Sequence, residues 1–400
     1  MRNVSRRGFL TLASTAPMAL AVPRRLMWGL AGDETSASAG PDPWIEINLS
    51  NLAWNLSEVR RRVNDRPVMA VIKANAYGHG LVGIARFLAE QNVRHFAVGK
   101  VMEAAALREN GIGGTVLNFG PFSREEADQL VRLDVSQSVY SETVEMLARS
   151  ARAQGKRAKV HIKVDTGLGR VGVPYYEAPS YVERIAATPE IAIEGIFTTL
   201  TEEPDFDRVQ LDRFIQVCDA AADKGISVGL RHAASSLAIS SFPDSFLDMV
   251  RPGNAIYGLE PLANLNLRPV MSVKARVIYV KRLRPGDSVS YHRLFTAERE
   301  TLVATLPLGY SDGCPPQGVE TAEVLIRGRR WPLIAAVTAN HSTVDVTGAA
   351  GIQIGDEVVL FGRQGEEELS IGEVAARAGS SVYKVAIGMN PTLPRLHIES

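Results

Sequence analysis

From Pro67 onward the chain alternates eight short apolar runs with segments of helical period, and no other feature restricts its fold so tightly. The runs are PVMAVIK, RHFAVG, TVLNFG, VSQSVY, AKVHIKVDTG, AIEGIFT, VGLRHAAS and FLDMVRPG. Between them lie stretches such as GLVGIARFLAEQN and SETVEMLARSARAQG, whose apolar residues recur three and four apart, as on one face of a helix. Strands alternating with amphipathic helices belong to α/β proteins with a covered parallel sheet. Eight of them are the count for a (β/α)8 TIM-type barrel; a doubly wound sheet would give the same pattern.

After about Arg268 the texture changes. VMSVKARVIYVKRL, ETLVATLPLGY, AEVLIRGRRWPLIAAV, STVDVTG and DEVVLFGRQ follow at close spacing, divided by Pro-Gly-Asp and Gly-Asp turns. The division predicted is a barrel over 41–268 and a mainly β C-terminal domain over 269–400, with one short helix at IGEVAARAG. The strand near 43–50 could join either domain. Residues 1–40 stand apart as an export signal and linker: SRRGFL precedes an apolar run too short to span a bilayer, and the paired arginines resemble a twin-arginine signal. An exported, periplasmic or extracytoplasmic location is therefore expected.

Lys plus Arg and Asp plus Glu both total 44, so there is no basic excess for nucleic acid. No stretch reads as a membrane span. Two cysteines, Cys218 and Cys314, make neither a disulfide framework nor a metal cluster, and no metal is expected.

Barrel enzymes build their sites at the C-terminal ends of the strands, so the residues there are the functional candidates. The first strand ends in Lys73, followed by Tyr77 and His79. The fifth carries Lys163, Asp165 and Arg170; the seventh ends in His232, Ser235 and Ser236; the eighth in Arg251 and Gly253. A desolvated lysine among cations has a lowered pKa, which favours the neutral amine needed for a Schiff base. Glycines and serines at late strand ends suit a phosphate. Lysine and phosphate site together point to pyridoxal 5'-phosphate. Lys73 taken alone reads more simply as a snorkelling strand-end lysine.

The stretches VIKANAYGHG, HIKVDTGLGR, VRPGNAIYGLEP, SYHRLFTAERETLVATLPLGYSDG and STVDVTG, in this order, resemble the alanine racemase family from Trp44 to about Arg395. The resemblance implies a pyridoxal-phosphate racemase whose small-molecule substrate is alanine or, with broader specificity, a somewhat larger amino acid. It places Lys73 on the Schiff-base lysine and first base, and Tyr291 on a second base supplied across a head-to-tail homodimer. Tyr77, Ser236 and Gly253 fall on phosphate-binding positions and Arg251 on the arginine facing the pyridine nitrogen. Arg170 falls near the cofactor phenol oxygen and the substrate, with Lys163 on a lysine often carbamylated beside it. Tyr310 falls on a substrate-side tyrosine. His232 joins the cofactor-binding set.

Departures cluster around the same positions. Thr198-Thr199 replaces a Thr-His pair, and Ser235-Ser236-Leu237 an Asn-Ser-Ala. Thr338-Ala339-Asn340-His341 replaces Cys-Met-Asp-Gln, putting Ala339 at the substrate carboxylate. His397 is expected where the family has a phosphate-binding, gating tyrosine, and Cys314-Pro315-Pro316 where an entrance arginine is usual. Two other readings remain open at this level: another pyridoxal-phosphate epimerase or lyase, and a cofactor-binding protein without catalysis.

Overall fold

The computed structural model describes residues 42–315 and 322–399. The export segment and Pro316 lie outside the described residues. Seven parallel strands run in order through Met69–Val71, His95–Val98, Thr115–Asn118, Ser136–Val139, Ala158–Asp165, Ile191–Phe197 and Leu230–His232. The eighth staves the gap as a short segment around Val250. Val250 bridges Val68, and Met69 N–H donates to Val250 O at 2.8 Å while Val71 N–H donates to Pro252 O at 2.9 Å. These bonds close the α/β barrel, and the helices between strands turn their apolar faces inward, for example Leu81, Ile84, Ala85 and Leu88 of Leu81–Glu90.

The second domain is a ten-stranded, mainly antiparallel sheet. Strand Trp44–Asn48 belongs to it, antiparallel to Met271–Arg276 and parallel to Arg395–Ile398. Two short helices pack here rather than one. Ile371–Arg377 starts with a Ser370/Glu373 capping box, and Val382–Gly388 is capped by Ser381. Its short, β-branched VYKVAIG gives little helical period, which explains why the sequence hides it.

Directly after the first barrel strand the backbone turns left-handed. Ala74, Asn75 and Ala76 lie near φ 55°, ψ 50°, and Tyr77 has φ 53°. Four non-glycine residues in this region cost roughly 1–2 kcal/mol each. Glu103, buried on the helix Val101–Glu109 after the second barrel strand, holds the turn: its carboxylate accepts from Asn75 N–H and from Gly99 N–H, both at 2.9 Å. The Asn75 side chain in turn accepts from Leu81 N–H at 2.8 Å. Removing the carboxylate strands two backbone donors at about 1–3 kcal/mol each. Glu103→Ala should therefore lower the unfolding free energy by about 2–6 kcal/mol in urea denaturation; an unchanged midpoint would mean that the turn supports itself.

Candidate functional site

A cavity of about 440 Å³ opens at the C-terminal ends of the barrel strands. Lys73, Tyr77, Lys163, Arg170, Ser236, Arg251 and Gly253 all line it, so the barrel brings together seven of the residues singled out in the sequence. Strand ends explain this convergence: each residue sits at or just beyond the last hydrogen-bonded residue of its strand.

Arg251 forms the floor. Its Nη2 donates to the carbonyls of Thr198 and Ala233 at 2.7 and 3.0 Å, and its Nη1 to His232 Nδ1 at 2.9 Å. His232 does not line the cavity; it stands behind Arg251 and donates from Nε2 to His161 Nδ1 at 2.9 Å. The arginine has no acceptor, so it fixes the tautomer of both rings. Burial keeps both imidazoles neutral, with His161 pulled down to about 3 and His232 well below the usual histidine range. Burial brings Arg251 down to about 9, which leaves it charged at neutral pH. Its Nε has no hydrogen-bond partner among the described residues. A ring nitrogen acceptor would meet that donor.

Two lysines share the cavity. Burial lowers Lys73, Arg170 lowers it further, and Glu103 opposes the shift. Lys163 is pulled down to about 7 by burial and then by Arg251 and Arg170. Its Nζ donates to Thr199 Oγ1 at 2.8 Å and lies 4.7 Å from the centre of the Phe197 ring. Both amines are thus biased toward the neutral, nucleophilic form.

The remaining wall suits a phosphate. Ser236 Oγ accepts from the N–H groups of Gly253 and Ala255 at 3.0 and 3.1 Å, which turns its hydroxyl proton away from them. A Cβ on residue 253 would lie 2.7 Å from Tyr77 Oη, so only glycine admits the phenol against that backbone. Burial pushes Tyr77 up to about 12, keeping it a neutral donor. Phenol, hydroxyl, a bare backbone and a nucleophilic lysine fit a pyridoxal phosphate.

Other candidates lie elsewhere. Tyr291 is 77% exposed in a turn of the C-terminal domain and does not reach the cavity of its own chain. Tyr310, 61% exposed, stands in a turn clamped to Ala339, whose carbonyl accepts from Ser311 N–H at 3.0 Å and Ser311 Oγ at 2.6 Å. Neither Tyr310 nor Ala339 lines the cavity. The placement of His397 at the phosphate is corrected: it sits in the last strand opposite Ile47 and lines no part of the cavity. Tyr383 occupies the cavity wall instead, 6.2 Å from the Tyr77 ring. Sequence reading missed it, along with Glu202, Asn254 and Glu260; the one available signal was a tyrosine two residues beyond a serine cap. Cys314 is buried and free, its thiol pushed up to about 12 by burial, and so unreactive.

A lysine-centred barrel joined to a β domain, with a wall suited to phosphate and a buried arginine, is the arrangement of an enzyme into which an aldehyde cofactor would fit. The comparisons narrow the class. Residues 47–261 match the family described as Alanine racemase, N-terminal domain, and residues 270–397 match Alanine racemase, C-terminal domain. The chain is 36% identical over 365 residues to alanine racemase 2 of Caldanaerobacter subterraneus subsp. tengcongensis, covering 88% of this chain and 94% of that one. Among solved structures it resembles the alanine racemase of Clostridium difficile 630 with a TM-score of 0.86 at 31% identity, over 91% of this chain and 97% of that one. It also resembles the Bacillus anthracis alanine racemase with bound L-Ala-P, with a TM-score of 0.84 at 28% identity and the same coverage. This chain belongs to the alanine racemase family.

The depressed Lys163 makes stability depend on pH. Its folded pKa of about 7 lies below the unfolded value of 10.5, so the unfolded chain binds the extra proton between them. The resulting destabilisation is fully present below pH 7 and disappears as pH rises toward 10.5. Cofactor-free Lys163→Met should therefore be more stable than wild type at pH 6 and lose that advantage by pH ~10. Thermal melts of both proteins across this range test it; parallel curves would refute a buried, depressed amine.

Proposed function

We propose that this protein is a pyridoxal-phosphate-dependent amino-acid racemase, an isomerase whose complete active site forms only in a head-to-tail dimer. One observation carries the reading: the depressed Lys73, the Tyr77–Ser236–Gly253 wall and the unpartnered Nε of Arg251 converge on a single cavity. The cofactor supplies an electron sink for the pair left when the α-proton departs.

The residues divide the remaining work. Lys73 holds the cofactor and, as a neutral amine, takes or returns the α-proton on one face. Inverting the centre needs a second group on the opposite face. Among the described residues this chain's cavity offers no second lysine or tyrosine suited to that: Tyr77 faces the phosphate wall, Lys163 is tied to Thr199, and Tyr383 donates its hydroxyl to Glu260. Exposed Tyr291, reaching across from a second copy, supplies that group. Arg251 stays protonated and does not surrender its proton to the ring, which keeps the electron sink weak and side reactions rare. Tyr77, Ser236 and Gly253 would hold the phosphate, and Arg170 at the rim would meet the substrate carboxylate. The SRRGFL opening supports export of the folded, loaded enzyme to an extracytoplasmic compartment.

Lys73→Ala should lower racemisation by a factor of about 10²–10⁴ or more, and abolish the visible absorbance of a lysine-bound cofactor while circular dichroism stays that of wild type. Retained absorbance would remove Lys73 from its role.

Tyr291→Phe should be similarly crippled yet keep the absorbance, and exchange its α-proton in deuterated buffer mainly from one enantiomer. Mixing and reassociating the two inactive variants should restore about a quarter of wild-type activity, the share of intact sites when protomers pair at random. No recovery would refute a site shared between subunits.

A further inference from the structure

One wall of the cavity is acidic, and the racemisation chemistry leaves it unused. Glu202 and Glu260 line the same space as Lys73. Glu260 Oε1 accepts from Tyr383 Oη at 2.8 Å and from Asn254 Nδ2 at 2.5 Å, which fixes the carboxylate and leaves Oε2 without a partner among the described residues. The Glu202 side chain makes no hydrogen bond or ion pair among the described residues. Its charged neighbours are Asp207 and Glu260, and burial together with these like charges raises its pKa. Asp207 offers no relief, because its Oδ1 already accepts from Thr201 N–H, Thr201 Oγ1 and Glu202 N–H.

An independent observation points to a missing donor. Asn254 is only 4% exposed and lines the cavity, yet its Oδ1 is buried with no partner. A buried acceptor left unpaired loses its hydration with nothing in return. With Nδ2 committed to Glu260, that oxygen can only accept. One wall thus holds the Glu202 carboxylate and the free Oε2 of Glu260, backed by a buried amide oxygen, none of the three with a donor among the described residues, while Lys163, Arg170 and Arg251 line the same cavity. An α-carboxylate belongs on the cationic side. The acidic side calls for a group with several N–H donors and a positive charge, such as an ammonium with its three.

We propose that the preferred substrate is an amino acid with a long cationic side chain, of the lysine or ornithine class, its terminal ammonium held by Glu202, Glu260 and Asn254 Oδ1. The inference rests on the racemase reading and adds the substrate class. Glu202 and Glu260 are specificity determinants here, since they touch the side chain and not the reacting carbon. A short side chain such as that of alanine leaves them unneutralised.

The test compares L-lysine with L-norleucine, which has the same carbon chain without the amine, on the loaded wild-type enzyme and on Glu202→Gln, Glu260→Gln and the double variant. Wild type should favour lysine in kcat/KM by at least about tenfold, and the lysine-to-norleucine ratio should fall toward one in the double variant, whatever change both substrates share. Titrating the holoenzyme with either amino acid and following its absorbance reads binding even where turnover is slow, and the same preference must appear there. A wild-type ratio near one, or a preference untouched by both substitutions, overturns the proposal. Racemisation of norleucine or alanine without a preference for lysine sinks this inference alone; binding of lysine with no racemisation of any amino acid sinks the racemase reading while leaving the acidic wall in place.

Discussion

The left-handed turn from Ala74 to Tyr77 is the constraint on which the site depends. It lets two residues four positions apart, Lys73 and Tyr77, line one cavity immediately after a strand. The strain is of order 4–8 kcal/mol if each residue costs the usual 1–2 kcal/mol. Local hydrogen bonds from Glu103 and Asn75 offset only part of it. The balance comes from packing: His79 stacks on Tyr257 at 4.4 Å, and Tyr77 packs against Tyr257 at 5.2 Å. His79 is fully buried and held neutral, its pKa pulled down to about 4 by burial, and its Nδ1–H reaches back to the carbonyls of Ala76 and Tyr77. The motif KANAYGHG therefore encodes a strained backbone together with the side chains that hold it.

Charge distribution follows from which cation is best solvated by the protein. Arg251 has three hydrogen bonds and remains charged, while Lys163 has one hydroxyl and a ring face and gives way. Delocalised guanidinium tolerates burial better than a compact ammonium. Thr199 matters in this contest. Its hydroxyl accepts from the Lys163 amine in either protonation state, so it does little to hold the charge there.

Much of this was legible because barrel topology converts strand order into spatial neighbourhood. Once eight strands are counted, Lys73, Lys163, Ser236 and Arg251 must meet at one end. Residues beyond that rule were harder to place. Tyr383 and Glu260 come from segments whose proximity depends on how the second domain docks, and no periodicity reports docking. His397 misled for the converse reason: its position near the C-terminus suggested the gating tyrosine, but alternation in RLHI makes it a strand residue whose partner is Ile47. Tyr291 and Tyr310 are readable from a single chain only as exposed aromatics.

The docking itself has an identifiable anchor. Arg395, on the last strand, donates from Nε to Gly78 O at 3.0 Å and from Nη1 to the carbonyls of Asn390, Pro391 and Leu393. Burial pulls it down to about 10, so it remains a cation and its donors stay fully armed at neutral pH. Gly78 lies at the end of the left-handed turn, and a Cβ there would sit 2.0 Å from Ala386 O in the helix that carries Tyr383. The tail of the β domain therefore presses directly on the backbone that aims Lys73. A lysine in place of Arg395 could not span these four carbonyls, since one ammonium offers three donors from a single point. Gly78 thus meets both the last strand, through Arg395, and the helix that carries Tyr383, so the turn that aims Lys73 and the wall that Tyr383 forms share one contact.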